Sequence, residues 1–348
     1  MADIKKEFIV PDSYSGKRAD IVAQALMPEY SRVRIQRSMK DGFILCNNQK
    51  ISPKEKLIGG ELLCIVIQAQ GSEDQFNPEE ISLNVIYEDD DILVLNKPID
   101  MVVHPAAGNW TGTLLNGIIF HYPGNKSLAR GGIVHRLDKN TSGLMVVAKN
   151  EITQLSLVKQ LQSKKVYREY KAVVWGQVLG GKKIDQPIGR HPTVRTKMAI
   201  NHINGKQSVT HYEVLEKFGM YSYLKCRLET GRTHQIRVHM MHNLSPIIGD
   251  PTYGLKKIIS TKGMTEKLRD LTTSFPRQAL HASSLGLIHP KTNKPMRWEA
   301  ELPQDMKALL DIIRSESPLI EENFKTNKYD YYIGDDGFMK EGIEADEK

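Results

Sequence analysis

The chain has 348 residues, 40% hydrophobic and 26% charged, enough for one large core plus a small accessory domain. No run approaches the roughly 20 apolar residues that span a bilayer, "MADIKKEFIV" holds no apolar signal core, and Cys46, Cys64 and Cys226 lie scattered without a CxxC pair. These features argue against a membrane span, a disulfide framework or a thiolate zinc site, and for a cytoplasmic protein.

The net charge of +7 is unevenly spread: from Ser315 onward ten acids face four bases, so the rest of the chain carries +13. A body this basic points to a polyanionic partner, with plain solubility as the bland alternative. Residues 16–68 read as a compact unit. "ADIVAQALM" predicts a helix with Ile21, Val22, Ala25 and Leu26 on one stripe. "SRVRIQRSMKDG" predicts a second helix, from an N-cap at Ser31 to Gly42 just past its end, and "FILCN" and "ELLCIVIQ" read as strands. The second helix carries Arg32, Arg34, Arg37 and Lys40 with no acid among them. Helical spacing brings Arg34 and Arg37 together with Lys40 one turn on, a face suited to RNA phosphates or simply to water.

Residues 69–82 are polar, apolar-poor and carry Gly and Pro, and so read as a linker. Alternating short strands and helices over residues 83–314 predict a mixed α+β fold built on a sheet. Residues 315–348 form an acidic tail with no clear amphipathic period, expected to be disordered or wrapped on the surface, with Phe324, Tyr329, Tyr331, Tyr332 and Phe338 as possible anchors.

The chemistry concentrates in "GGIVHRLDKNTSGLMVVAKN". Asp138 lies between His135-Arg136-Leu137 and Lys139, on a loop joining two strand-like runs. Neighbouring cations favour its ionised form, which can attack an electrophilic carbon or take a proton. A structural ion pair is the bland alternative. "YREYKAVVWG" reads as a strand bearing Tyr170, and "LETGRTHQIRVHMMHN" as strand, turn and helix, with Thr233 as N-cap and Arg237 in the first turns. "RQALHASSLGLIHP" supplies a late core strand with His281. His234, His239 and His242 do not share one helical face, so no metal is expected.

Two resemblances follow. "RADIVAQAL", "SRVRIQRSMKDGFILCNNQKIS" and "LLCIVI" resemble an S4 RNA-binding domain, an αα-β module, which implies that Arg18, Arg32, Arg34 and Arg37, with Lys40 beside them, meet RNA. "NKPIDMVVHPAAGNWTGTLLN", "GGIVHRLDKNTSGLMVVAK", "REYKAVVWG", "DQPIGRHPTVRTKM", "LETGRTHQIRVHMMH" and "GDPTYG" resemble the RluA/RluD family of pseudouridine synthases, nearest its RluD-type enzymes of large-subunit rRNA. That resemblance implies a mostly antiparallel mixed sheet with flanking helices and loops.

It also implies roles. Asp138 is the essential aspartate, acting at C1′ of the target uridine or driving a glycal-like intermediate. Tyr170 stacks on the base and assists proton transfer, Arg237 pairs with the aspartate, and Arg136 fills the space of the extruded base. Arg190 and Arg195 are further expected RNA contacts. Isomerising uridine involves neither redox nor phosphoryl transfer, so no cofactor is expected. A glycosidase would need a second flanking carboxylate, and a non-catalytic RNA-binding protein would need only the S4-like module.

Overall fold

The computed structural model describes residues 4–28, 30, 32–67, 77–105, 109–178, 180–194, 196–255, 265–317, 330–333 and 339–342, with backbone alone at 4, 33, 34 and beyond 317. Ser31 and Arg195 lie outside the described residues, as do most of the linker and most of the tail. The chain divides into two compact units, Met1–Gln75 and Phe76–Lys348.

The first unit is a sheet with two helices. Strands β1 (Ile4–Ile9), β2 (Ile44–Cys46), β3 (Gln49–Lys50) and β4 (Leu62–Ile67) form an antiparallel sheet in the order β1-β4-β2-β3. Helices α1 (Ala19–Leu26) and α2 (Arg32–Lys40) contribute Val22, Ala23, Ile35 and Met39 to a core shared with Ile44, Leu63 and Ile65. Two expectations are corrected here. The module begins well before residue 16, because β1 pairs with β4 from Ile4↔Ile67 to Ile9↔Leu62. The buried stripe of α1 runs through Ala19, Val22, Ala23 and Leu26, while Ile21 and Ala25 face solvent. That i, i+3, i+4, i+7 set is one step round the helix from the stripe read in the sequence.

Helix α2 does end at Gly42. The Phe43 amide donates to the Ser38 carbonyl (2.8 Å) and the Gly42 amide to that of Met39 (3.1 Å), with Gly42 at φ +82°. This is the Schellman arrangement that a glycine just past a helix permits.

The second unit is α+β. Its main sheet contains β5 (Val85–Glu88), β6 (Ile92–Lys97), β7 (Ser142–Ala148), β8 (Tyr167–Trp175) and β9 (Lys182–Asp185). A small antiparallel pair, β10 (Ile188–Arg190) and β11 (Met198–Ile200), interrupts the order before the sheet resumes with β12 (Val209–Phe218) and β13 (Tyr221–Leu228). Strand β14 (Leu280–Ile288) and β15 (Pro295–Glu299) complete it, in the spatial order β5-β6-β7-β14-β8-β13-β12-β9 with β15 on β14. Every pair is antiparallel except β7 with β14, which meet at His281 and Ala282.

Around the sheet lie α3 (Leu114–His121), α4 (Glu151–Gln162), α5 (Gln235–His242), α6 (Glu266–Ser274) and α7 (Gln304–Glu316). Strand β7 is buried along its whole length, as a central strand covered on both faces must be. Its Gly143 (φ +118°) lies so close to β14 that a Cβ there would sit 2.2 Å from the Ala282 carbonyl oxygen, which only glycine avoids. In the tail, β16 (Asp330–Ile333) pairs antiparallel with β17 (Met339–Gly342), a hairpin the sequence reading did not foresee. No helix of the described residues is long and apolar enough to cross a membrane.

Candidate active site

The loop before β7, the middle of β8 and the start of α5 converge on one cavity of about 860 Å³. Asp138, Tyr170, Arg237, Arg136 and His234 all line it.

The loop bearing Asp138 is shaped by the two glycines ahead of it. Gly131 and Gly132 have φ of +58° and +78°, and a Cβ on Gly132 would lie 2.0 Å from the Ala148 carbonyl oxygen. After this tight turn only Ile133 bridges to Val147, so "IVHRLD" is irregular rather than the end of a strand. Its direction is fixed by His135, whose Nε2 accepts the Val146 amide of β7 at 3.0 Å. Burial and the nearby Arg168 push that imidazole down to about 3, so it stays neutral and can accept.

Two buried cations grip the loop from below. Lys97 is fully buried, and its ammonium donates to the carbonyls of Pro98 (2.6 Å), Met101 (3.0 Å) and Lys139 (2.9 Å). Arg277 donates to the Asn140 carbonyl (3.3 Å) while forking onto Asp305 at 2.6 and 2.9 Å. Gln278 adds a bond to the Thr141 hydroxyl at 3.0 Å. The segment from Lys139 to Thr141 is thus held by Lys97 at the end of β6 and by Arg277 and Gln278 just ahead of β14, with Asp305 of α7 anchoring Arg277.

Asp138 is met by Arg237, whose Nη1 donates to its Oδ2 at 2.9 Å. Arg237 is only 5% exposed and is itself oriented by Asp250, which takes its Nε and Nη2 at 2.7 and 2.9 Å. Asp250 also accepts the amides of Thr252 and Tyr253. Burial alone would raise the Asp250 carboxyl, but Arg237 and those amides hold it below the usual range. The Arg237 guanidinium is held cationic against its own burial by Asp250 and Asp138.

His234 completes this face. Its Nε2 lies 3.8 Å from Asp138 Oδ1, and its Nδ1 is 2.9 Å from the Tyr253 hydroxyl, which accepts the Met198 amide. His234, at φ +57°, and not Thr233 is the N-cap of α5, and it offers no side-chain cap bond because its ring is turned toward Asp138. Gln235 closes the turn instead, accepting the Arg232 amide at 3.0 Å.

Tyr170 lies on β8 opposite Ala282 of β14. Burial pushes its phenol up to about 12, with Arg168 opposing and Asp138 adding to the shift, so the ring is neutral. Arg136 is exposed on the cavity wall.

The remaining expected residues lie elsewhere. Arg18 and Arg32 of the first unit both fork onto the fully buried Asp20 at 2.9–3.1 Å, and Gln36 donates to the same carboxylate. Burial raises the Asp20 carboxyl, but Gln36, Arg32 and Arg18 bring it below its ordinary value. Arg37 and Lys40 are exposed, Arg37 with Asp41 at 3.8 Å. Arg190 ends β10 and is exposed. The Arg34 side chain and Arg195 fall outside what is described.

His239 is buried with both ring nitrogens engaged, by Thr210 and the Gln186 carbonyl. Among the described residues, Asp89, Asp91 and His289 form the group whose ligand atoms lie within 4.8 Å of one another, away from the cavity. Both Asp89 oxygens are taken by amides, Tyr87 and His289, and Asp91 Oδ1 accepts from Asn150.

Sequence reasoning missed Lys97, Asp250, Arg277 and His234. Lysine before proline at the end of an apolar strand, and the acid of "GDPTYG", were the available signals.

Residues 91–242 match the family described as RNA pseudouridylate synthase. The Ribosomal large subunit pseudouridine synthase D of Pasteurella multocida is 45% identical over 93% of this chain and 99% of its own length. Its namesake from Escherichia coli K12 is 46% identical over 88% of this chain and 94% of that protein. Among solved structures, Human RNA Pseudouridylate Synthase Domain Containing 4 covers 69% of this chain and 95% of its own, with TM-score 0.50 and 22% identity, a likeness of fold.

Proposed function

The chain belongs to the RNA pseudouridylate synthase family, and on that premise we propose that it isomerises uridines of large-subunit ribosomal RNA at Asp138. The enzyme is an RNA pseudouridine isomerase; the choice of RNA, the site residues and a cytoplasmic place of work are our reading. One observation carries it: a carboxylate in a cavity is held at 2.9 Å by an arginine that a second, buried carboxylate has already oriented. A merely structural ion pair would not require the middle arginine to be fixed by another acid, nor a neutral phenol across the cavity.

In this reading the target uridine leaves its stack, which costs a few kcal/mol, and its base enters the cavity. Arg237 pairs with Asp138 and keeps it pointed at the sugar. Asp138 acts either at C1′ or by driving a glycal-like intermediate. Tyr170 gives the detached uracil an aromatic face, and Arg136, at the cavity wall, takes the place of the extruded base. The exposed Arg37 and Lys40 of the first unit, an S4-like module in our reading, meet the RNA backbone, with Arg18 and Arg32 aimed by Asp20; Arg34, Arg190 and Arg195 are further proposed contacts.

The test is to map pseudouridines in ribosomal RNA from cells with and without the gene. Loss of one or more large-subunit pseudouridines is the expected result. An unchanged large-subunit map, with changes in another RNA, would refute the substrate assignment.

A further inference from the structure

Arg168 lines the same cavity as Asp138 and Tyr170. It is only 6% exposed, yet among the described residues no carboxylate pairs with it. Its Nη2 donates to the Glu229 backbone carbonyl at 3.1 Å, and its Nε finds no hydrogen-bond partner in the protein. The Glu229 carboxylate is engaged by Lys164 (2.8 Å) and His211 (2.7 Å) instead. A buried guanidinium without a counter-ion is costly, and burial lowers its pKa accordingly.

The position is built rather than accidental. Arg168 and Tyr170 are two apart on β8, so they share the face that lines the cavity, about 7 Å apart along the strand. A Cβ at Gly231 would lie 2.6 Å from Arg168 Nη1, so the glycine of "TGRTHQIR" leaves room for the guanidinium. The Tyr170 phenol feels both charges, Arg168 lowering its pKa and Asp138 raising it. A base laid on Tyr170 with its sugar at Asp138 would lie in the same cavity whose wall carries the Arg168 guanidinium.

We propose that Arg168 is a further catalytic residue, which binds the uracil ring and stabilises the negative charge it carries once detached from the sugar. The inference rests on the assignment of Asp138 and Tyr170 given above. When the C1′–N1 bond breaks, its electron pair stays on uracil and spreads from N1 to O2 and O4. The C5–C1′ bond then forms, C5 loses its proton and N1 gains one. The guanidinium donates hydrogen bonds throughout and gives up no proton, so it ends as it began. An RNA phosphate is the poorer fit, because Arg136 and Arg232 stand exposed on the same cavity while Arg168 is enclosed in its wall.

A uracil that is already a stable anion needs this help less. Fluorine at C5 makes it so, which gives the test. Full-length wild type, Arg168→Gln and Arg168→Lys are compared in single turnover on large-subunit rRNA transcripts made with uridine or with 5-fluorouridine. The C-linked nucleoside is measured after nuclease digestion, with RNA Kd and melting measured alongside; fluorine leaves C5 no proton to lose, so on the fluorinated RNA the C-linked product is the one in which water has added across N1=C6, hydroxyl to C6 and proton to N1.

Arg168→Gln should lose roughly 10²–10³ in rate on uridine RNA, as for removal of one charge-stabilising donor, and at least about fivefold less on the fluorinated RNA. Its Kd should hold within about twofold, and Arg168→Lys should regain part of the rate. Should the glutamine variant not fold, the lysine variant is read by the same ratio. Equal losses on both RNAs, an undiminished rate, or a loss carried by Kd and its salt dependence would overturn the proposal, the last pointing to a phosphate. Asp138→Asn separates the two readings: activity surviving in it overturns the Asp138 assignment whatever Arg168 does.

Discussion

At the scale of single residues, the site is a set of charges whose protonation the fold decides. Lys97 is the clearest case. Burial pushes its ammonium from 10.5 down to about 7, with Asp138 opposing and Arg277 adding to the shift. A lysine depressed in this way binds fewer protons folded than unfolded between about pH 7 and 10.5, so stability rises with pH across that window. Below it the full penalty of the buried charge is present. Unfolding by urea at pH 7 and pH 9 should show wild type gaining on Lys97→Met by roughly 1.4 kcal/mol per pH unit. Parallel changes in the two proteins would mean that Lys97 titrates normally. Asp138, Tyr170 and Arg237 were legible in the sequence because each lies in a dense local motif. Lys97 and Asp250 left only faint local traces and Arg277 none, because what they do depends on partners 42, 13 and 28 residues away.

At the scale of elements, the boundaries most easily read were those with a local cause. Gly42 ends α2 by its positive φ, and the apolar runs of β8 and β14 became central strands. Strand β1 escaped notice because Lys5, Lys6 and Glu7 break its alternation, and only pairing with β4 makes it a strand. The α1 stripe was misjudged because the deeply buried position is the charged Asp20, whose partners come from two other places in the module. This matters for testing the basic face. Removing Arg18 and Arg32 would leave Asp20 buried and short of partners, a loss of about 3–5 kcal/mol that would confound any RNA measurement. Arg37 and Lys40 are exposed and can be changed without that cost. Arg37→Ala with Lys40→Ala should weaken RNA binding and reduce the salt slope by roughly one per lost phosphate contact, with turnover at saturating RNA little altered. An unaltered slope would mean that the face is merely solvated.

At the scale of the whole molecule, the α+β class and the strand–helix alternation were legible, but the order of the sheet was not. Strand β14, near the end of the domain, inserts between β7 and β8, and that insertion sets the Asp138 loop beside Tyr170. The requirement shows in the sequence only as Gly143, whose meaning depends on Ala282 lying against it. The acidic tail yielded a hairpin where its composition promised no regular structure. We propose that one carboxylate, Asp138 aimed by Arg237, carries the isomerisation. The most direct measurement is tritium release from C5-labelled uridine RNA by purified Asp138→Asn, with folding and RNA affinity measured on the same sample. The amide keeps the shape but can neither attack nor accept a proton, so release should fall to background while folding and affinity stay near wild type. Release within about tenfold of wild type would contradict the account.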